Sequence, residues 1–217
     1  MYLAIDIETE NTGFDIMKDN KRIISVQIGD DTKQNLYWAD SKNPLWTLKS
    51  AEKEITSLLS QGVIFTGYNV KGFDIPFLKQ FLGIEIPQSN ILDICHTPDM
   101  KAFHNTNSDW TLECACAKWF VNANHKQKMN AKTEQYKTRQ DIIEKAKVGA
   151  NEIRKTKSWL TPSAAYTKAL NKVAGGNAIY DAYLEFVMSG GQENTLFYEY
   201  AVGDVVSEYQ LLKKLGY

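Results

Sequence analysis

The sequence predicts an α/β protein interrupted by an all-helical stretch. Two observations carry that expectation. Short apolar runs rich in β-branched residues alternate with helical periods over about the first 120 residues, and from about residue 122 to 191 the strand signals vanish.

In chain order, residues 2–7 read as a short apolar strand, 22–29 (RIISVQIG) as a second, and 35–39 as a candidate third. Ser50 is a candidate N-cap for the helix AEKEITSLL, which should stop near Gly62. VIFTGYN then reads as a buried strand. Asp74-Ile75-Pro76 opens a helix that FLKQFLG closes at Gly83, residues 90–94 (NILDI) make a fifth strand, and 111–120 a further helix. The interruption reads as a long polar helix, a second from Thr161-Pro162 to Gly175-Gly176, and a third ending at Gly190-Gly191. A last helix over 193–215 returns to the α/β core. The expected organisation is thus a core of residues 1–121 and 192–217 with a basic helical insertion over 122–191.

With 43% hydrophobic and 12% aromatic residues among 217, the chain can bury one sizeable core. No stretch approaches the roughly 20 apolar residues that cross a bilayer, and no basic region precedes the apolar run after Met1. A soluble cytoplasmic protein without membrane association is expected. Cys95, Cys114 and Cys116 are an odd number without a leader segment, which argues for reduced thiols. Together with His96 and His104 they match no usual zinc spacing.

The net charge of −1 hides an asymmetry. Residues 126–157 hold ten Lys/Arg against four Asp/Glu, a net +6, and the remaining 15 basic and 22 acidic residues give −7. A basic appendage on an acidic body suits a phosphate backbone, although a solvated helix face would look the same.

Acidic residues in three separated blocks point to the chemistry. Asp6 and Glu8 in AIDIET are two apart on a strand, so both carboxylates leave one face while Ile5 and Ile7 enter the core. Asp74 in GYNVKGFDIPFL stands at a helix start beyond a strand end. Tyr200 and Asp204 in YAVGD are four apart on a helix and share its face. Clustered carboxylates repel unless a cation neutralises them, and oxygen-only ligands favour Mg²⁺ or Mn²⁺. Two such ions about 3.5–4 Å apart can stabilise both oxygens of an in-line phosphodiester displacement. The sequence carries no Gly-rich phosphate loop and no nucleophile elbow.

On these blocks the chain resembles the DEDD (DnaQ-like) 3′→5′ exonuclease superfamily in its tyrosine subclass. GYNVKGFDIPFL is most similar to proofreading domains of B-family DNA polymerases. The resemblance spans residues 1 to about 120 and about 192 to 217. It implies a ribonuclease-H-like fold with a mixed five-stranded sheet of order 3-2-1-4-5, its second strand antiparallel. It also implies two Mg²⁺ or Mn²⁺ ions. Asp6, Glu8 and Asp204 would hold the first, Asp6 would bridge to the second, Asp74 would support the second through water, and Tyr200 would orient or deprotonate the attacking water. Thr9, Asn69 and Phe73 would line the pocket of the 3′-terminal nucleotide, with Phe14 as a wedge. The extra Glu10-Asn11 after Thr9 departs from the family's loop at that wedge. Only 13 residues follow Asp204. The resemblance therefore implies a standalone enzyme in replication or repair, or a subunit that meets a polymerase in trans.

The expected substrate is DNA, single-stranded or frayed, by a two-metal-ion mechanism. Alternatives are an exoribonuclease with the same site and a lapsed nucleic-acid-binding module. In the insertion, Lys145, Lys147, Lys155 and Lys157 with Tyr136, Trp159, Tyr166, Tyr180, Tyr183 and Phe186 offer charge and stacking for a single strand. Alternatively those aromatics form the insertion's own core.

Overall fold

Five strands form one mixed sheet: β1 (Tyr2–Thr9), β2 (Ile23–Gly29), β3 (Gln34–Trp38), β4 (Ile64–Gly67) and β5 (Ile91–Asp93), in the order β3-β2-β1-β4-β5. The computed structural model describes residues 1–11, 22–107 and 109–217. β2 and β3 pair antiparallel, with Val26 opposite Tyr37, while β1, β4 and β5 run parallel, with Leu3 opposite Phe65 and Thr66 opposite Leu92. Every residue of β2 is buried, as its near-continuous apolar run requires of a strand covered on both faces. This is the ribonuclease-H-like sheet, with strand 2 antiparallel, that the resemblance implied.

The chain divides into two compact units. The first comprises Met1–Glu8, Ile23–His125 and Tyr198–Tyr217, and the second Thr9–Arg22 and Lys126–Phe197.

In the first unit α1 (Leu48–Ser60) is capped by Thr47, whose hydroxyl accepts from the Ser50 amide at 3.2 Å. The expected cap, Ser50, lies inside the helix and donates its own hydroxyl to the Pro44 carbonyl at 2.6 Å. α2 (Asp74–Leu82) ends on left-handed Gly83 at φ 69°, a conformation glycine adopts without Cβ strain. β5 is trimmed to three residues because 3-10 turns flank it at Gln88–Asn90 and Ile94–His96. α3 (Pro98–Thr106) was not anticipated from the sequence; its Thr97-Pro98 start is an ordinary helix opening. α4 (Leu112–Lys118) begins at Thr111, whose side chain accepts from the Cys114 amide. Met100 and Phe103 of α3 and Leu112, Ala115 and Cys116 of α4 pack with Leu211 and Leu212 of the last helix, α8 (Leu196–Lys214). That cluster fixes the C-terminal half of α8 within the first unit.

The second unit is helical: α5 from Lys126 onward (the helix as a whole being His125–Tyr136), α6 (Gln140–Thr156) and α7 (Pro162–Met188). The expected long polar helix is two, because the chain turns through Lys137–Arg139 before α6 starts. Conversely, Gly175-Gly176 does not end a helix: α7 runs 27 residues through both. Gly176 is buried where the Asn11 carbonyl oxygen lies against the helix, so that a Cβ there would collide with it, whereas nothing lies near a Cβ at Gly175. The first glycine pair marks a close approach, and the second, Gly190-Gly191 at φ 79° and 86°, is the true stop. Ala146, Ala150 and Ile153 of α6 pack against Ala165 and Ala169 of α7, small residues that let the two helices lie close.

Among the described residues, no helix is long and apolar enough to cross a membrane.

Candidate active site

β1 is longer than its partner, and that mismatch builds the site. β4 ends at Gly67, having paired only with Tyr2–Ala4, while β1 runs on to Thr9. The Ile7 amide, beyond that register, donates instead to Asp74 Oδ1 at 3.1 Å. A buried backbone donor must be satisfied, and here a carboxylate does so at the start of α2. Phe73 precedes it as an N-cap without a side-chain hydrogen bond and packs on Phe77, ring centroids 4.5 Å apart.

The loop between β4 and α2 is held by two further buried acids. Asp93, at the end of β5, accepts from the Asn69 amide at 3.1 Å and the Lys71 amide at 3.0 Å. Glu208 of α8 accepts from the Tyr68 amide at 2.9 Å. Asn69 itself is exposed and left-handed at φ 65°, a conformation Asn tolerates better than other side chains with a Cβ.

α8 turns a stripe inward through Ala201, Asp204, Val205, Glu208, Leu211 and Leu212. The spacing is helical, and two carboxylates ride it among apolar neighbours. Asp204 thereby meets Asp6 and Glu8, with one ligand atom from each within 4.8 Å of the others. Asp6 is half-buried as a residue, yet its Oδ2 is shut from solvent with no hydrogen-bond partner among the described residues.

Electrostatics follow from this crowding. Burial first, then Asp74, Glu208, Glu8 and Asp204, raise the Asp6 carboxyl well above the usual carboxylate range. Asp74 is pushed up to about 8, chiefly by burial, against the lowering effect of hydrogen bonds from its own and the Ile7 amides and from Asp6. Tyr200, one turn before Asp204, is raised well above the usual phenol by burial and then by Glu8, Asp204 and Asp6. Such a set is stable either protonated or around a cation. The all-oxygen donor set and the orphaned Asp6 Oδ2 fit a hard divalent ion.

Four of the five expected catalytic residues therefore lie on β1 and α8, and Asp74 joins them by its hydrogen bond to the Ile7 amide beside Asp6. Thr9 is buried at the end of β1. Phe14 lies outside the described residues. Lys145, Lys147, Lys155 and Lys157 are exposed on and just after α6; Lys147 pairs with Glu144 at 2.7 Å and Lys155 with Glu152 at 2.6 Å. Of the insertion's aromatics, Tyr136, Tyr183 and Phe186 are buried, the last two against Phe197, and Trp159 is exposed. The core reading holds for those three.

Sequence reasoning missed Asp93, Glu208 and His125. His125 Nε2 lies 2.8 Å from Asp204 Oδ1, with its ring centroid 6.5 Å from that of Tyr200. A signal existed for it in Gly203, a glycine inside a helix beside a site aspartate. Cys116 packs into the core, and the Cys95 thiol is pushed up to about 12 by burial and then Asp93.

With this geometry the comparison with known families agrees. A family model described as the RNase H superfamily matches residues 3–142, well over half the chain, and the chain belongs to that superfamily. The match includes β1 and Asp74 and stops before α8. No curated protein and no solved structure matches the chain. Membership points to a nuclease acting on nucleic acid, of a kind that usually employs divalent metals.

Proposed function

We propose that the chain is a 3′→5′ exonuclease of the DEDD type, tyrosine subclass, hydrolysing single-stranded or frayed DNA from its 3′ end. The observation that carries this reading is the meeting of Asp6, Glu8 and Asp204 within 4.8 Å, with Tyr200 on the same helix one turn before Asp204. Asp6, Glu8 and Asp204 would hold one Mg²⁺ or Mn²⁺, Asp6 would reach a second, and Asp74 would support that second ion. Two bound ions supply charge stabilisation to the attacking and leaving oxygens of the phosphodiester. Tyr200, whose phenol is held protonated by burial and then by its acidic neighbours, suits a hydrogen bond that orients the attacking water better than removal of its proton.

Thr9, Asn69 and Phe73, at the end of β1 and in the loop braced by Asp93 and Glu208, would receive the terminal nucleotide, and the resemblance gives Phe14 the part of a wedge. The basic helical segment over 122–191 would contribute contacts to the nucleic acid through Lys145, Lys147, Lys155 and Lys157. A polymerase or other replication or repair protein in trans would be a natural partner.

The test is a ladder assay. Single-stranded DNA and RNA of one sequence, labelled at the 5′ end, are incubated with Mg²⁺ and either the wild type or Asp6→Ala. The expected result is stepwise shortening of DNA that the variant abolishes. Shortening confined to RNA would convert the reading to an exoribonuclease, and intact strands with either metal would leave a binding module.

A further inference from the structure

We infer that His125 is a positioning residue for Asp204, a hydrogen-bond donor that fixes one carboxylate oxygen so that the other is presented to a cation held with Asp6 and Glu8. The inference rests on the metal-binding reading of the cluster and adds a group that the acidic blocks did not contain. Three observations carry it. His125 Nε2 is 2.8 Å from Asp204 Oδ1, and since a carboxylate only accepts, the imidazole donates from Nε2. The two side chains are 12% and 8% exposed, so water does not substitute for the contact. Gly203, the residue before Asp204, has no Cβ because the His125 ring occupies that space: a Cβ there would stand 2.6 Å from His125 Cδ2 and 2.7 Å from its Cβ.

The third observation argues against incidental contact. A glycine inside a helix weakens it relative to alanine. Here that cost makes room for an imidazole against the helix backbone, aimed at the next side chain. Donors that hold a ligand's far atom commonly govern metal affinity by restricting the ligand to its binding orientation. His125 does this from a different chain segment, at the start of α5, so that α8 need not carry its own orienting group.

The experiment measures Mn²⁺ binding to the full chain by the loss of the free-ion electron paramagnetic resonance signal, with thermal melts in chelator to verify folding. His125→Phe keeps a ring of similar size and removes the donor, Gly203→Ala retains the donor and displaces it, and His125→Gln restores a donor. The expected result is about 10–100-fold weaker Mn²⁺ binding for His125→Phe and Gly203→Ala, with most of the affinity recovered by His125→Gln. Wild-type affinity in a folded His125→Phe overturns the inference while leaving the metal cluster intact. Failure of all three variants to fold also overturns it, since the imidazole is then structural. Absence of Mn²⁺ binding by the wild type, or binding indifferent to Asp6→Ala, overturns the inference and the metal-binding reading together.

Discussion

The two units handle charge in opposite ways. In the α/β unit Glu8, Asp74, Asp204 and Glu208 are each less than a tenth exposed, share one sign and crowd around Asp6. In the helical unit, apart from the buried Lys126, many charges lie outside and in pairs: Lys137 with Glu134, Arg139 with Asp141, Lys147 with Glu144 and Lys155 with Glu152. Exposed pairs of that kind contribute little to stability and form readily on any polar helix. Buried carboxylates of one sign oppose folding unless protonation or a ligand neutralises them. The net +6 of residues 126–157 therefore says less about function than the few acids of the other unit, although it dominates the charge profile.

The sharpest way to break this contrast is to remove an acid. Asp6→Ala or Asp204→Ala should reduce nuclease turnover by about 10³-fold or more, the several kcal/mol expected of lost metal-borne charge stabilisation. A variant within tenfold of the wild type would place the chemistry elsewhere. Tyr200→Phe should lower kcat by about 10²-fold while leaving Mn²⁺ affinity unchanged if, as proposed, the phenol orients water and is not a ligand. Weakened metal binding in that variant would make it a ligand instead.

A stability measurement tests the same burial. Asp74 binds its proton up to about pH 8 in the folded protein but only to about 3.8 when unfolded, and Asp6 shifts in the same direction. Over that window the folded state holds more protons, so metal-free stability is greatest at the acid end and declines as pH rises through it. Melting temperatures in chelator should fall from pH 5 to 8, and Mg²⁺ should lift the alkaline values most. A metal-free melt independent of pH would contradict the buried, unneutralised cluster.

In the helical unit the expected effects are smaller. Gly176→Ala should destabilise by about 1–3 kcal/mol, since the added methyl meets the Asn11 carbonyl, whereas Gly175→Ala should stabilise by about 0.4–1 kcal/mol. Equal effects in denaturant titration would remove the distinction between the two glycines. Neutralising Lys145, Lys147, Lys155 and Lys157 together should weaken DNA binding and flatten its salt dependence. An unchanged slope would leave these lysines to their neighbouring glutamates.

How much of this was legible in the sequence depends on the range of the interactions. Strand positions and the pairing of Asp6 with Glu8 follow from a period of two, and Tyr200 with Asp204 from a period near four, so both were readable locally. α7 was misdivided at Gly175-Gly176 because the reason for glycine there is a carbonyl about 165 residues away in sequence. The cap of α1 moved from Ser50 to Thr47 because both residues can cap and only the backbone geometry chooses between them. Asp93, Glu208 and His125 escaped notice because each acts across the fold, on amides or a carboxylate of other elements.

The central claim concerns what the acidic cluster does to a strand end, and release of a 3′ label tests it most directly. Single-stranded DNA labelled on its 3′-terminal nucleotide, mixed with excess enzyme and Mg²⁺, should yield labelled mononucleotide as the first product, and Asp204→Ala should yield none. Label appearing first in oligonucleotides, or released equally by that variant, would contradict the account.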